Sequence, residues 1–290
     1  AIGLGTPGLD RENALFHLRK LVHEGVLLPG FHFREFGAPD GAALGDRKAW
    51  RKANPAIGAG FLRISALETD VNLTPEGHFR TFRLGQWVDG VDSWLGPSGR
   101  SIWDDLAAPF EFQIGAPTYL GVDVGLKRDS TAVVAVQRDA EGMLHAICRL
   151  WLPTSEEPVD VTDVMEHIRE LARVYDVQEV SFDPRFFDVP AKMLADEGLT
   201  LIEVPQSVER MSAICGSLLE IIKRGEMRHD GDERLATHVL NAVPRFNERG
   251  FTLQKSKSRG RIDGCIALAL AVDRAVRPPE PTKEAMIAWA

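Results

Sequence analysis

The sequence predicts an α/β domain, a mixed sheet of five or more strands flanked by helices, with an irregular region in front of it. Three observations carry that reading. Residues 118–151 contain three closely spaced strand-like runs, the second of them β-branched, and from residue 159 onward helical periodicity alternates with short apolar segments. Residues 1–114 sustain neither period for long and are rich in Gly, Pro and Trp.

In the first region, Asp10 is placed to cap a helix carrying Ala14, Leu15, Leu18, Leu21 and Val22 at helical spacing, stopped by Gly25. A second short helix is expected near Phe61 to Asp70. Trp87, Trp94 and Trp103 are expected to pack a small core or to dock onto the next domain. Pro109 and Pro117 flank a boundary near Gly115. Strands are then expected at 118–124, 131–137 and 143–151, and a helix at 159–175 with Val161, Val164, Ile168, Leu171 and Ala172 on one face. A strand at 178–183, a helix at 187–197, a strand at 200–204 and a helix at 208–224 come next. A helix at 232–243, a β segment at 251–255 ("FTLQK") and a helix at 262–276 close the chain. Three meandering strands and then strands alternating with helices is the order of the ribonuclease H-like fold.

Composition narrows the function classes. The chain has 290 residues, 44% hydrophobic and 26% charged, ordinary globular proportions with room for about two domains. A net charge of −8 argues against a generally cationic nucleic-acid coat but leaves room for a local basic groove. Cys148, Cys215 and Cys265 are far apart and form no CxxC, so a reducing compartment without a disulfide framework is expected. The eight histidines show no HExxH or similar spacing, which makes structural zinc unexpected. No apolar run approaches a membrane span, and no basic-then-apolar leader is present. The chain begins Ala1-Ile2-Gly3 without methionine, in sequence that reads as mid-domain, as a fragment would.

Three aspartates sit where apolar runs end and a charge is unwelcome. Asp123 ends the first expected strand ("YLGVD"), Asp183 ends another ("VSFD") just before Pro184, and Asp263 opens an Ala/Leu-rich helix. Burying a lone carboxylate is costly. If the two strands are parallel neighbours, both acids emerge at one sheet edge, where ligands of open α/β sheets bind. The third then arrives from a helix start opposite. Three converging carboxylates repel one another, and a pair of divalent cations relieves that repulsion while making a site for phosphodiester chemistry. Each acid also has a plain structural reading: Asp263 as a helix N-terminal acid, Asp183 as a turn residue, Asp123 as part of a phosphate loop. Just before Asp263, "QKSKSRGRID" places Lys255, Lys257, Arg259 and Arg261 in a flexible run suited to a DNA backbone.

The stretches "YLGVDVGLKRDSTAVVAV", "VSFDPRFF", "VPQSVERMSAICGSLLEIIKRGEMRH" and "LQKSKSRGRIDGCIALALAVDRA" together resemble the C-terminal nuclease domain of the terminase large subunit of tailed bacteriophages. Upstream, "AWRKANPAIG" and "FRLGQWVDGVDSWL" resemble the segment joining that family's ATPase and nuclease domains. The resemblance implies a ribonuclease H-like endonuclease that cuts concatemeric viral DNA during packaging, with two Mg²⁺ or Mn²⁺ ions. By the same resemblance Asp123 bridges both ions, Asp183 binds one and Asp263 the other. One ion activates a water and the other stabilises the leaving 3′ oxygen. Asp129 in "KRDSTA" is a second-rank metal ligand, and His229 in "MRHDG" matches the family pattern without an assigned role. Implied partners are double-stranded DNA, the small terminase subunit and the portal, in the host cytoplasm and away from membranes.

On this reading residues 1–114 are the tail of a packaging ATPase and its linker, 115–280 the endonuclease and 281–290 a tail. The chain has no GxxxxGK[ST], so ATP hydrolysis by it alone is not expected. Two other classes fit parts of the sequence. An actin-like or sugar-kinase ATPase would share "GVDVGLKRDSTA", yet no second phosphate loop comes after it. A Holliday-junction resolvase or integrase would share the acids, against which the Trp-rich upstream segment argues. A subunit that only grips DNA would also keep the acids. Sequence-specific reading is not expected, since no helix groups Arg, Asn and Gln as a recognition helix does.

Overall fold

The computed structural model describes residues 5–7, 14–26, 30–87, 94–96, 98–125, 129–154, 157–255, 258 and 260–277. Its centre is a six-stranded sheet. The strands are β1 (Pro117–Asp123), β2 (Thr131–Arg138), β3 (Leu144–Trp151), β4 (Asp176–Phe182), β5 (Leu201–Glu203) and β6 (Met227–His229), in the order β5-β4-β1-β2-β3-β6. β1, β2 and β3 form the antiparallel meander, and β4, β5 and β6 add in parallel. The mixed sheet expected from the sequence is therefore present, one strand larger than five.

Alternation along β1 sorts its side chains to two faces. Leu120 and Val122 join a core under α7 (Val161–Val174) and α8 (Asp188–Asp196). Tyr119 joins the opposite core, under α9 (Val208–Arg224), α10 (Glu233–Asn241) and α11 (Asp263–Val276). Asp123 falls on the α11 side by the same alternation. Gly121 also faces α11, and it has to be glycine: a Cβ there would stand 2.0 Å from the Ala267 carbonyl oxygen and 2.7 Å from the Ala271 nitrogen. Ala267, Ala269, Ala271 and Ala275 keep α11 thin enough to lie fully buried on the sheet.

Two short β elements escaped the sequence reading. β6 has three residues, too few to show a period, and forms by pairing with the distant β3. The expected segment at 251–255 is the second arm of a hairpin, β7 (Pro244–Asn247) with β8 (Gly250–Leu253).

The first region is more helical than its composition suggested. It holds α1 (Ala14–His23), α2 (Arg47–Ala53), α3 (Pro55–Gly58), α4 (Ile64–Leu73), α5 (Glu76–Leu84) and α6 (Gly99–Asp104). Most are too short to display a hydrophobic stripe, and local signals delimit them. Asp46 caps α2 by accepting from the Lys48 N–H, and Gly85 ends α5 in the left-handed region at φ 61°. Trp50, Leu67, Phe79 and Leu84 make a small core of their own. Trp94 and Trp103 are instead fully buried in the core above the sheet, whereas Trp87 meets Phe16 edge-on at 5.0 Å.

This helical layer touches the hairpin. The His78 ring stacks on Phe246 of β7 at 3.7 Å, and Lys223 of α9 donates to the Val71 and Thr74 carbonyls at the end of α4. Burial, with help from Arg83, lowers the His78 pKa to about 4. A folded pKa below the ordinary 6.5 means that the neutral ring's contribution is complete above about 6.5 and is lost as pH falls toward 4. Going from pH 7 to 4.5 is therefore expected to lower Tm by about 2–4 °C more in the wild type than in His78→Gln, equivalent to about 1 kcal/mol after solvent screening. Equal losses in thermal melts of the two proteins would show that the stack does not bear on stability.

Candidate active site

The carboxyl ends of β1 and β4 lie side by side. They are parallel neighbours with Val122 opposite Phe182, so Asp123 and Asp183, each one position further on, share that edge of the sheet. α11 runs back over β1, its Ala267 and Ala271 backbone against Gly121. Four helical residues span about 6 Å and two strand residues about 6.6 Å. One turn before Ala267, then, Asp263 comes level with Asp123.

The two acids meet at Lys255, two residues beyond β8. Its ammonium lies 2.9 Å from Asp123 Oδ2, in contact with Asp263 Oδ1, and 4.0 Å from Asp129 Oδ2. Asp123 and Asp263 are buried, at 3% and 0% exposure, while the Lys255 side chain keeps 40% of its surface. Asp263 is well partnered, its Oδ2 also accepting from the Ser130 N–H at 3.2 Å and from the Ser130 hydroxyl. Asp123 is not: its Oδ2 faces the ammonium but accepts no well-aligned hydrogen bond. Asp183 lines the same cleft and accepts from the Arg185 N–H at 2.9 Å, in a turn.

The electrostatics arise from crowding. Burial raises the Asp123 pKa to about 7, and the charges of Asp263 and Asp183 push in the same direction against the pull of Lys255. Burial works against the Lys255 ammonium, yet Asp123 and Asp263 together raise its pKa above the ordinary value. One monovalent cation thus serves more negative charge than it balances.

The cleft has a volume of about 930 Å³. Arg185, Phe186, Arg245 of β7 and Thr252 of β8 line it together with the acids. Phe186 is half exposed and holds a left-handed backbone at φ 69°, unusual for a bulky residue.

Of the residues singled out from the sequence, Asp123, Asp183, Asp263, Asp129 and Lys255 come together. Lys255 points its ammonium at the acids while part of its side chain stays exposed. Arg261 stands near enough to His238 for its charge to lower that ring's pKa, behind the larger effect of burial. Lys257 and Arg259 lie outside the described residues. His229 is elsewhere: buried and stacked on Trp103 at 4.2 Å, it hydrogen-bonds the Trp103 carbonyl through Nε2 and accepts from the Gly231 N–H.

Residues 156–278 match the family model "Terminase large subunit, endonuclease domain". The matched stretch lies within the α/β domain, from before α7 to the end of α11. The large terminase subunit of Enterobacteria phage HK97 is 26% identical over 273 residues, covering 83% of this chain and 53% of that protein. Protein YmfN of Escherichia coli (strain K12) is 23% identical over 272 residues, covering 80% of this chain and 60% of its own. The chain thus spans about half to three-fifths of these relatives. The crystal structure of the HK97 large terminase superposes with a TM-score of 0.55 at 24% identity, over 91% of this chain and 61% of that one, and supports the fold.

Three further residues shape the site, and their roles are not visible in the sequence alone. Ser130 holds Asp263 from below. His238 of α10 accepts the Gly264 N–H at 2.9 Å, fixing the first turn of α11. Gly125 lets the β1–β2 loop close, since a Cβ there would lie 2.3 Å from the Asp129 Cβ. Gly125 and Ser130 stand in the "GVDVGLKRDSTA" stretch, but the role of all three is recognisable only once β1, α10 and α11 are assembled.

Whether a metal ion suits this set can be asked of the atoms themselves. The donors are hard carboxylate oxygens, the kind Mg²⁺ and Mn²⁺ take. One of them is buried without a well-aligned hydrogen bond, and the local charge is negative. Chemically the residues fit. Among the described residues, however, no three His, Cys, Asp or Glu side chains enclose an ion-sized space as they stand, and Asp123 and Asp263 contact Lys255.

Proposed function

We propose that this chain carries a metal-dependent DNA endonuclease, the nuclease of a viral genome-packaging terminase, which cuts concatemeric double-stranded DNA. The observation that carries the reading is the meeting of Asp123 and Asp263, both buried, around one ammonium over the edge that Asp183 shares. Asp123, Asp183 and Asp263 would hold two Mg²⁺ or Mn²⁺ ions, with Asp129 in reserve. Bound there, such ions supply Lewis-acid activation of water and of the leaving oxygen. Ser130 and His238 keep Asp263 in place, and Gly121 lets α11 bring it there.

DNA is taken to enter the cleft between Arg185 and Arg245, whose side chains form no ion pair among the described residues although the chain is acidic overall. Lys257, Arg259 and Arg261 would extend the contact. The small terminase subunit and the portal, met in the host cytoplasm, complete the proposed setting. Among the described residues no helix is long and apolar enough to cross a membrane.

The test is a plasmid assay. Wild type with Mg²⁺ or Mn²⁺ is expected to nick and linearise supercoiled DNA, and Asp183→Asn to lose at least about a hundredfold, the scale of removing one preorganised electrostatic group. Salt-sensitive DNA binding with no cleavage by either protein, in any divalent metal, would favour a subunit that only grips DNA.

A further inference from the structure

We infer that Lys255 is the internal counter-ion of the metal-free nuclease: its ammonium occupies the place of a metal ion between Asp123 and Asp263 and must leave before a divalent cation can bind. The inference rests on the metal-dependent reading above.

Oxygens from three separate segments, the end of β1, the start of α11 and the β1–β2 loop, point at one nitrogen. They lie at 2.9 Å for Asp123, in direct contact for Asp263 and at 4.0 Å for Asp129. A lysine that merely lay on the surface would meet one carboxylate at its rim. Here the partners are buried and the lysine is the group that reaches solvent, through a flexible four-carbon stem. It can therefore withdraw without disturbing the core. Just before it, the Gln254 N–H is held by the Val243 carbonyl at 3.1 Å, so the hairpin fixes where the stem begins and leaves the ammonium to pivot.

The ammonium and a divalent ion cannot share the position, because like charges a few ångströms apart in a partly dry site repel strongly. One positive charge is also a poor balance for Asp123, Asp263 and the nearby Asp183, and a doubly charged ion is a better one. Lys255 thus holds buried carboxylates together when no metal is present, lowers the apparent metal affinity, and once displaced lies on the cleft wall where a DNA phosphate is expected. Metal loading and backbone contact become two results of one side-chain movement.

Calorimetric titration with Mn²⁺ tests this on the full chain without DNA, comparing wild type, Lys255→Met and Lys255→Arg, with thermal melts in EDTA beside it. Lys255→Met keeps the stem and removes the competitor. It is expected to bind Mn²⁺ at least tenfold more tightly than wild type while melting lower in EDTA. Lys255→Arg keeps the charge and is expected to stay near wild type in both. Unchanged or weaker Mn²⁺ binding by a folded Lys255→Met, with wild type binding normally, overturns the counter-ion role and leaves the nuclease reading standing. If none of the three binds Mn²⁺, the metal-dependent reading fails and takes this inference with it. Lys255→Gln is the second variant should methionine prevent folding.

Discussion

Asp123→Asn is expected to give a protein that is more heat-stable at pH 8 than the wild type and unable to cut DNA. Asp123 is buried with Lys255 as its ion-pair partner, and its pKa is raised from 3.8 to about 7, chiefly by burial. A carboxyl whose folded pKa lies above its unfolded value is welcome protonated and costly ionised. Its cost to stability is absent below about pH 4, grows as pH rises toward 7 and is complete above that. Asparagine removes the charge at nearly the same volume, but it also takes one partner from Lys255. The net gain expected at pH 8 without metal is about 1–3 kcal/mol, at about 2–4 °C of Tm per kcal/mol. At pH 4.5 the gain should shrink toward zero. Plasmid nicking with Mg²⁺ or Mn²⁺ is expected to fall by about a thousandfold. Melts at the two pH values and a nicking time course check both halves. A variant less stable than wild type at pH 8 would mean that the ion pair with Lys255 outweighs the burial cost.

Gly121→Ala carries the second large effect, and it acts on the same site from behind. The added methyl group would meet backbone atoms, the Ala267 carbonyl at 2.0 Å and the Ala271 nitrogen at 2.7 Å, neither of which can swing aside as a side chain could. Either β1 or α11 must shift as a unit. A loss of about 3 kcal/mol or more is expected, at the upper end for overpacking, read as a fall in Tm on the order of 6–12 °C. Because α11 carries Asp263 at its first turn, the variant should also lose most of its Mn²⁺ stabilisation even at temperatures where it stays folded. Retention of both stability and metal response would mean that α11 tolerates a displacement the packing argues against.

The sheet was largely legible from the sequence because β1 and β2 are continuous buried runs, β2 rich in β-branched residues, and α7 and α9 because their apolar faces repeat cleanly. β6 and β7 were not, since three- and four-residue strands exist only through partners far off in the chain. Asp123, Asp183 and Asp263 stood out as charges closing apolar runs, and the parallel pairing of β1 with β4 sets the first two side by side. Lys255 was visible only as part of a basic run. Charge runs ordinarily face solvent, and nothing in "QKSKSRG" says that its first lysine points its ammonium at the acids. Ser130, His238 and Gly121 were silent for a related reason: their work is done on residues of α11, more than a hundred positions away for two of them and 26 for His238.

The burial of Trp94 and Trp103 above the sheet bears on where this polypeptide can be divided. Trp94 donates its indole N–H to the Val239 carbonyl at 2.8 Å, and Trp103 is stacked against His229, although both precede the first strand by more than a dozen residues. A fragment begun at Gly115, where the strand pattern invites a cut, would leave two tryptophan-sized hollows and the bare flank of α10 open to water. Such a piece should be sticky and short-lived in solution, whereas one begun upstream of Trp94 retains its own lid.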